Sequence, residues 1–274
     1  YEVLTLSTYP LVAHKGDAAA KRGGRIYLLT LLGTSIGLFL TALMWTWTLA
    51  GQNLDFVPGG LLAGVDISPA VSTALLLLFA FGIGKAALMP VHFWLPNAMV
   101  APTPVSALLH AVAVVKAGVF TVMKVSIFIF GEDLLNATPG RDFVLGVACF
   151  TIIVASLVAM TKDNLKARLA YSTIAQLAYV TAGAMLANEA GFLGGSIQIA
   201  AHAVGKMTLF MCAGAIYVAS GATNISDMRG LGRRMPLVFI AFFIASLSII
   251  GIPPMAGSWA KYELMQGAID GGHA

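Results

Sequence analysis

The sequence predicts an all-α fold, a polytopic transmembrane helical bundle with broken helices, and three observations carry that prediction. Of 274 residues, 58% are apolar and only 10% are charged, where a water-soluble domain carries about 25% charged residues, and the mean hydropathy is +0.87. Apolar runs recur that can cross a bilayer core about 30 Å thick, which takes roughly 20 residues at 1.5 Å each. Prolines cluster at the edges of those runs, where each removes a helix hydrogen bond and frees a carbonyl. A water-soluble enzyme and a disordered chain are excluded by this composition. Cys149 and Cys212, the only cysteines, leave no disulfide scaffold, no iron–sulfur framework and no zinc spacing.

Taken in order, residues 2–12 read as the end of an apolar segment whose beginning is absent, because the chain starts at Tyr1 rather than Met. We expect a fragment, truncated at both ends, whose residues 1–274 form a single transmembrane domain. No charged leader followed by a short apolar core and cleavage site is present, so no signal peptide mimics a span. The windows 25–50, 68–89, 105–130, 143–160, 169–187 and 192–219 are long enough to span, and a shorter run covers 236–252. After Pro253 and Pro254 the chain is apolar again over 255–269, either as a new span or as the second half of a broken one.

Orientation follows from the basic residues, which collect in cytoplasmic loops. Alternate connections carry Lys15, Lys21, Arg22 and Arg25, then Lys162, Lys166 and Arg168, then Arg229, Arg233 and Arg234. The intervening connections hold only Arg141, beside Asp55, Asp66, Glu132, Asp133, Asp142 and Glu189. The first set therefore faces the cytoplasm of a bacterial inner membrane, and it also accounts for the net charge of +4 without a nucleic-acid partner.

Five lysines remain inside apolar sequence: Lys85, Lys116, Lys124, Lys206 and Lys261. A lysine at the bilayer centre costs about 2.5 to 3.5 kcal/mol, so such residues face a bundle interior or a wet cavity and mark ion paths. Lys124 lies near the acidic end of its helix, where its stem can snorkel to the headgroups. Lys85, Lys116 and Lys206 lie too deep for that. His110 and Lys116 are six apart, about 600° of rotation, on neighbouring faces; His202 and Lys206, at i and i+4, share one face. Imidazoles and desolvated amines exchange protons near neutral pH, which suits a relay, while a core histidine bonded to a helix carbonyl is the structural alternative. A buried ammonium needs an acid, and Glu2 and Glu263 are the acids in apolar sequence near the termini, Glu2 being the better placed.

Pro90, Pro96, Pro102 and Pro104 break the helix between two spans, and Pro253, Pro254 and Gly257 repeat the pattern before Lys261. Irregular backbone at membrane depth is tolerated only against protein or a water-filled cavity, as in transporter ion sites, although a packing kink is the simpler reading of either break. Gly82, Gly84 and Ala87 fit a dinucleotide fingerprint but follow no strand, and Gly33 and Gly37 read as a close-packing GxxxG.

With these residues placed, the string KAALMPVHFWLPNAMVAPTPVSALLHAVAVVKAGVF, from Lys85 to Phe120, resembles the signature region of the proton-translocating antiporter-like family shared by Mrp-type cation/proton antiporters and the large membrane subunits of respiratory complex I. YEVLTLSTYPLVAH, NLKARLAYSTIAQLAYV, HAVGKMTLF and GIPPMAGSWAKYELM resemble later landmarks in the same order, so the likeness covers essentially the whole chain. The resemblance implies that Glu2 pairs with Lys85, that His110, Lys116, His202 and Lys206 continue a buried polar axis, and that Lys261 is the terminal exchange residue. It also matches Lys166 to a basic residue at the membrane edge. Both His110 and Lys116 on one helix, with APTPVSALLHA, are closer to an Mrp-type subunit, D-like or A-like, than to chain M or L of complex I.

The leading expectation is a proton-translocating subunit of a multisubunit Na⁺/proton antiporter, with other membrane subunits as partners. The alternative is a proton-pumping subunit of a quinone oxidoreductase or related hydrogenase, whose electron carriers sit on other chains. A scaffold that has lost transport would have little reason to keep such costly lysines. No cofactor or metal is expected here; carboxylates within the spans are few, so the Na⁺ path can lie on a partner.

Overall fold

The computed structural model describes residues 1–52 and 55–273. Among them nine helices carry the fold: α1 (Glu2–Val12), α2 (Ala18–Leu49), α3 (Pro69–Gly82), α4 (Thr103–Ala137), α5 (Gly140–Thr161), α6 (Leu165–Leu186), α7 (Glu189–Ser220), α8 (Pro236–Ile250) and α9 (Ala256–Asp270). Of these, α2, α4, α5, α6 and α7 are each long and apolar enough to cross a membrane.

Local chemistry sets the helix ends. Asp17 caps α2 by accepting from the Ala20 amide at 2.6 Å, Asn188 caps α7 by accepting from Gly191 at 2.8 Å, and Ser68 with Pro69 opens α3. Such caps satisfy amides that have no intrahelical partner. Helices α6 and α5 show the two kinds of packing. The most apolar stretch of α6 is 83% buried and forms the centre of the bundle. α5 instead presents Phe143, Phe150, Ile153, Leu157 and Met160 outward at helical spacing. An outward apolar stripe of this length is a surface for lipid or for another helix, and α8 repeats it with Leu237, Ile240, Phe243 and Ile244.

α2 begins at Ala18 rather than residue 25, so Lys21, Arg22 and Arg25 lie in its first turns rather than in a connection, and two further spans change in kind. Window 68–89 is not one helix: α3 stops at Gly82, and a 3₁₀ turn over Gly84–Ala86 leads to Ala87 in the left-handed region at φ 54°. The break therefore begins ahead of Pro90, because backbone packing rather than proline ends the helix. A Cβ on Gly118 of α4 would lie 2.3 Å from the Lys85 carbonyl carbon, so the turn rests directly on α4. From there the chain descends in short turns, Val91–Phe93, Trp94–Asn97 and Ala98–Val100, and the Trp94 indole donates to the Gly84 carbonyl at 3.0 Å. The second correction concerns window 105–130. α4 is longer at both ends and carries π turns over Leu108–Val112 and Val125–Phe130 that sequence periodicity does not reveal. Gly33 and Gly37, expected in close packing, face open space beside a π turn in α2.

Residues 255–269 form the separate helix α9, which folds back along α7. A Cβ on Gly194 of α7 would sit 2.8 Å from the Leu264 amide, so glycine is what permits this approach.

Gly118→Val would place a side chain in the space occupied by the Lys85 turn. Overpacking of this kind costs about 1–3 kcal/mol, a fall of several degrees in Tm. Reaction of buried Cys212 with a thiol dye on heating, in a Cys149→Ala background of the full-length parent protein, would record it; an unchanged midpoint would disprove the close contact.

The basic and acidic connections segregate. Leu165 and Ile225 exchange backbone bonds with Thr223 and Asp163, and Ser226 donates to Asp163 at 2.7 Å, joining two basic connections. Those two Ser226 bonds, from hydroxyl and amide, hold the Asp163 carboxyl below the usual carboxylate range. Lys15 opens onto the same cleft as Asn164 and Thr223. At the other end Leu61 and Leu62 donate to Phe128 and Ile129, and Asn136 donates to Ala187. Single-cysteine labelling at positions 55 and 163, in a background lacking Cys149 and Cys212, should then report opposite sides; labelling of both from one side would refute the arrangement.

Candidate functional site

Lys85 is carried by the 3₁₀ turn rather than by a helix, with its side chain fully buried. Its Nζ donates to Glu2 Oε1 at 2.9 Å and to the Tyr1 carbonyl at 2.8 Å, and lies 3.4 Å from the centroid of the Tyr1 ring. Glu2 sits in the first turn of α1, and its second oxygen, Oε2, is buried without a hydrogen-bond partner. A charged pair in a low-dielectric site is held by the bonds around it, and here one carboxylate oxygen stays uncommitted. The pairing of Glu2 with Lys85 is thus realised in space.

A second group lies on α4 and α7. Lys116 Nζ is 2.5 Å from His202 Nδ1, with both residues buried. No carboxylate takes part, so one of the two nitrogens must supply a lone pair, and the two cannot both carry a full set of protons at this distance. Lys206, one turn further along α7, donates to the Leu169 carbonyl at 3.1 Å, the same oxygen that accepts from Thr173. His110 lies within the first π turn of α4, its ring 5.5 Å from that of Phe210 and both nitrogens unpartnered. The two groups meet at α4, since Gly118 beneath the Lys85 turn is two residues from Lys116.

The remaining predicted residue, Lys261, hydrogen-bonds to the Ile249 and Ile250 carbonyls at 3.1 and 2.7 Å. It caps the end of α8 and covers the carbonyls freed at the Pro253–Pro254 break, with its Nζ 5.3 Å from the Tyr179 ring. Its bonds run to α8 and not to the other six residues. Lys124 sits 3.5 Å above the Phe56 ring at the acidic end, which agrees with a snorkelling stem. Lys166 donates to the Ala101 carbonyl at 2.6 Å and holds the last turn before α4.

Sequence reasoning missed a buried amide pair: Gln198 Nε2 donates to Gln176 Oε1 at 2.6 Å, one turn from His202. The signal was present, because Gln198, His202 and Lys206 are spaced by four on one face of α7. Tyr1 was missed because it lies 84 positions from Lys85 in the chain and only the fold brings its ring beneath the ammonium. Among the described residues no three His, Cys, Asp or Glu side chains converge as a metal site.

A family model described as NADH:quinone oxidoreductase/Mrp antiporter, TM, matches residues 1–274. The chain belongs to the NADH:quinone oxidoreductase/Mrp antiporter transmembrane family. It is 32% identical to the NAD(P)H-quinone oxidoreductase chain 5 of Synechocystis, over 97% of this chain and 40% of that one. With the NADH-quinone oxidoreductase subunit L of Rickettsia bellii it shares 36% identity over 77% of this chain and 32% of the relative. A chain in the structure of the Mrp complex from Dietzia superposes with a TM-score of 0.85 at 29% identity, covering 99% of this chain and 29% of that chain. The chain thus spans about 40% of the length of the chain 5 relative it matches. As a member of the NADH:quinone oxidoreductase/Mrp antiporter family it is a multi-pass membrane protein, and the helices that pack its buried lysines and histidines are those of the family's transmembrane region.

Proposed function

We propose that this chain carries protons through the membrane part of a multisubunit monovalent cation/proton antiporter, with Na⁺ as the cation, in a bacterial inner membrane. The observation that supports it best is the Lys116–His202 contact of 2.5 Å without a carboxylate. A shared proton between two bases can be passed to either side when a neighbouring charge changes. Glu2 and Lys85 form the electrostatic switch: separating the carboxylate from the ammonium releases the lysine proton toward α4, where Lys116 and His202 accept it, followed by Lys206 and His110. Lys261, at the α8 break, is the exit. Cation selection belongs to partner subunits, since Glu2 is the one carboxylate within this set.

A second reading, a proton-pumping subunit of a quinone oxidoreductase, is favoured by the names of the curated relatives. Both use the same proton steps and differ in what drives them. In everted vesicles containing the complete assembly, addition of Na⁺ should collapse a preformed pH gradient, and choline should not. A gradient that responds to NADH oxidation and ignores Na⁺ would transfer the chain to the second reading. Robust Na⁺/proton exchange by the purified parent subunit alone in liposomes would refute the multisubunit form of the first.

A further inference from the structure

A cavity of about 690 Å³ lies at the basic end of the bundle, between the turn that precedes α4, the start of α6 and the end of α7. None of the proton-carrying residues lines it. Lys15 and Lys166 do, and no Asp or Glu is found among its described lining residues. Lys166 makes one hydrogen bond, to the Ala101 carbonyl, so two of its three ammonium protons have no protein acceptor. Two ammonium groups converging without a carboxylate are a site that asks for an anion.

Beside Thr103, Asn164 and Thr223, most of the remaining wall is apolar, with Met99, Val100, Met211, Tyr217 and Val218. On α7 this wall opens sideways: Val218 is 86% exposed, and Met211 and Tyr217 are also exposed. These residues belong to a helix long enough to cross the bilayer, so the opening faces acyl chains and the lysines lie at the level of the headgroups. A free inorganic anion would leave this apolar wall unused. A basic membrane face also meets the anionic leaflet, where each nearby lysine favours an acidic lipid.

We infer that this cavity is a binding site for an anionic phospholipid, with the phosphate between Lys15 and Lys166 and an acyl chain along Met211, Tyr217 and Val218. The lipid would tie the connection before α2, the turn before α4 and the α6–α7 pair together at one end of the bundle.

The test uses the full-length parent protein reconstituted in nanodiscs of phosphatidylcholine with one-fifth phosphatidylglycerol, then examined by native mass spectrometry. Wild type should retain phosphatidylglycerol in preference to phosphatidylcholine. Lys15→Gln and Lys166→Gln should each reduce that preference by about fivefold, while Arg234→Gln, on an exposed basic residue outside the cavity, should leave it intact. Val218→Trp, which fills the apolar wall and keeps both lysines, should lower retention of the lipid as well. Equal retention of the two lipids by wild type, or an unchanged preference in the double lysine variant, would overturn the site. Displacement by inorganic phosphate alone would also overturn it, because the anion and not the lipid would then be selected. So would cross-linking of position 218 to a helix of the parent protein in place of lipid.

Discussion

Lys85→Ala should abolish proton transport while the protein still inserts and assembles, a loss on the order of a hundredfold or more if this group must accept and release a proton. The structure explains why assembly survives. Lys85 is on a turn whose packing against Gly118 is made by backbone, so the turn does not rest on the lysine side chain. Lys85→Arg should fail as well, since guanidinium does not deprotonate at accessible pH. The Arg variant keeps the charge and the possibility of a bond to Glu2, and this separates proton exchange from ion pairing. Decay of a pH gradient in everted vesicles, with protein amount checked by blot, measures both. Wild-type activity in Lys85→Arg would rule out a titrating lysine here, and loss of the protein in Lys85→Ala would return the residue to a structural role. Glu2→Gln should retain the protein and slow transport, because the turn keeps its bond from Lys85 to the Tyr1 carbonyl at 2.8 Å.

Lys116→Met and His202→Phe should each reduce proton flux by about a hundredfold, with the double variant little worse than either single one. Two residues that hold one proton between them act as a unit, and the effects of such units are strongly non-additive. Multiplicative losses, near ten-thousandfold in the double variant, would mean that the two residues serve independent routes and would break the shared-proton reading. His202→Gln is an informative control: it can keep a hydrogen bond to Lys116 but cannot relay a proton, so a structural role predicts retention of flux and a relay predicts its loss.

How much of this was legible in the sequence can be argued from particular residues. Lys116 and Lys206 stand in apolar runs where a charge is costly, which marks them without any coordinates. The spacing of His202 and Lys206 puts both on one face of α7, and the coordinates bury both there. Lys124 was separable from them by its nearness to acidic residues, and it does reach the ring of Phe56 at that end. The loops sorted by charge also sort by contact in space, since the force that orients a membrane chain acts on the loops themselves. Gln176 and Gln198 were passed over because an amide carries no charge and its burial is not visible in composition.

The sequence by itself determined the membrane class, the helices, their alternation between basic and acidic ends, and the identity of the titratable side chains. These follow from local quantities, namely hydrophobicity, charge and caps, each read within a few turns of chain. Only the tertiary structure decided that the first break begins at Ile83, that His110 occupies a π turn, that Lys116 meets His202 rather than His110, and that Lys261 covers the end of α8. Each of these depends on how closely two backbones approach, as at Gly118 against the Lys85 turn, or on which freed carbonyl a long amine can reach. Such distances join residues far apart in the chain, Lys116 and His202 being separated by 86 positions, and no periodicity along one helix contains them.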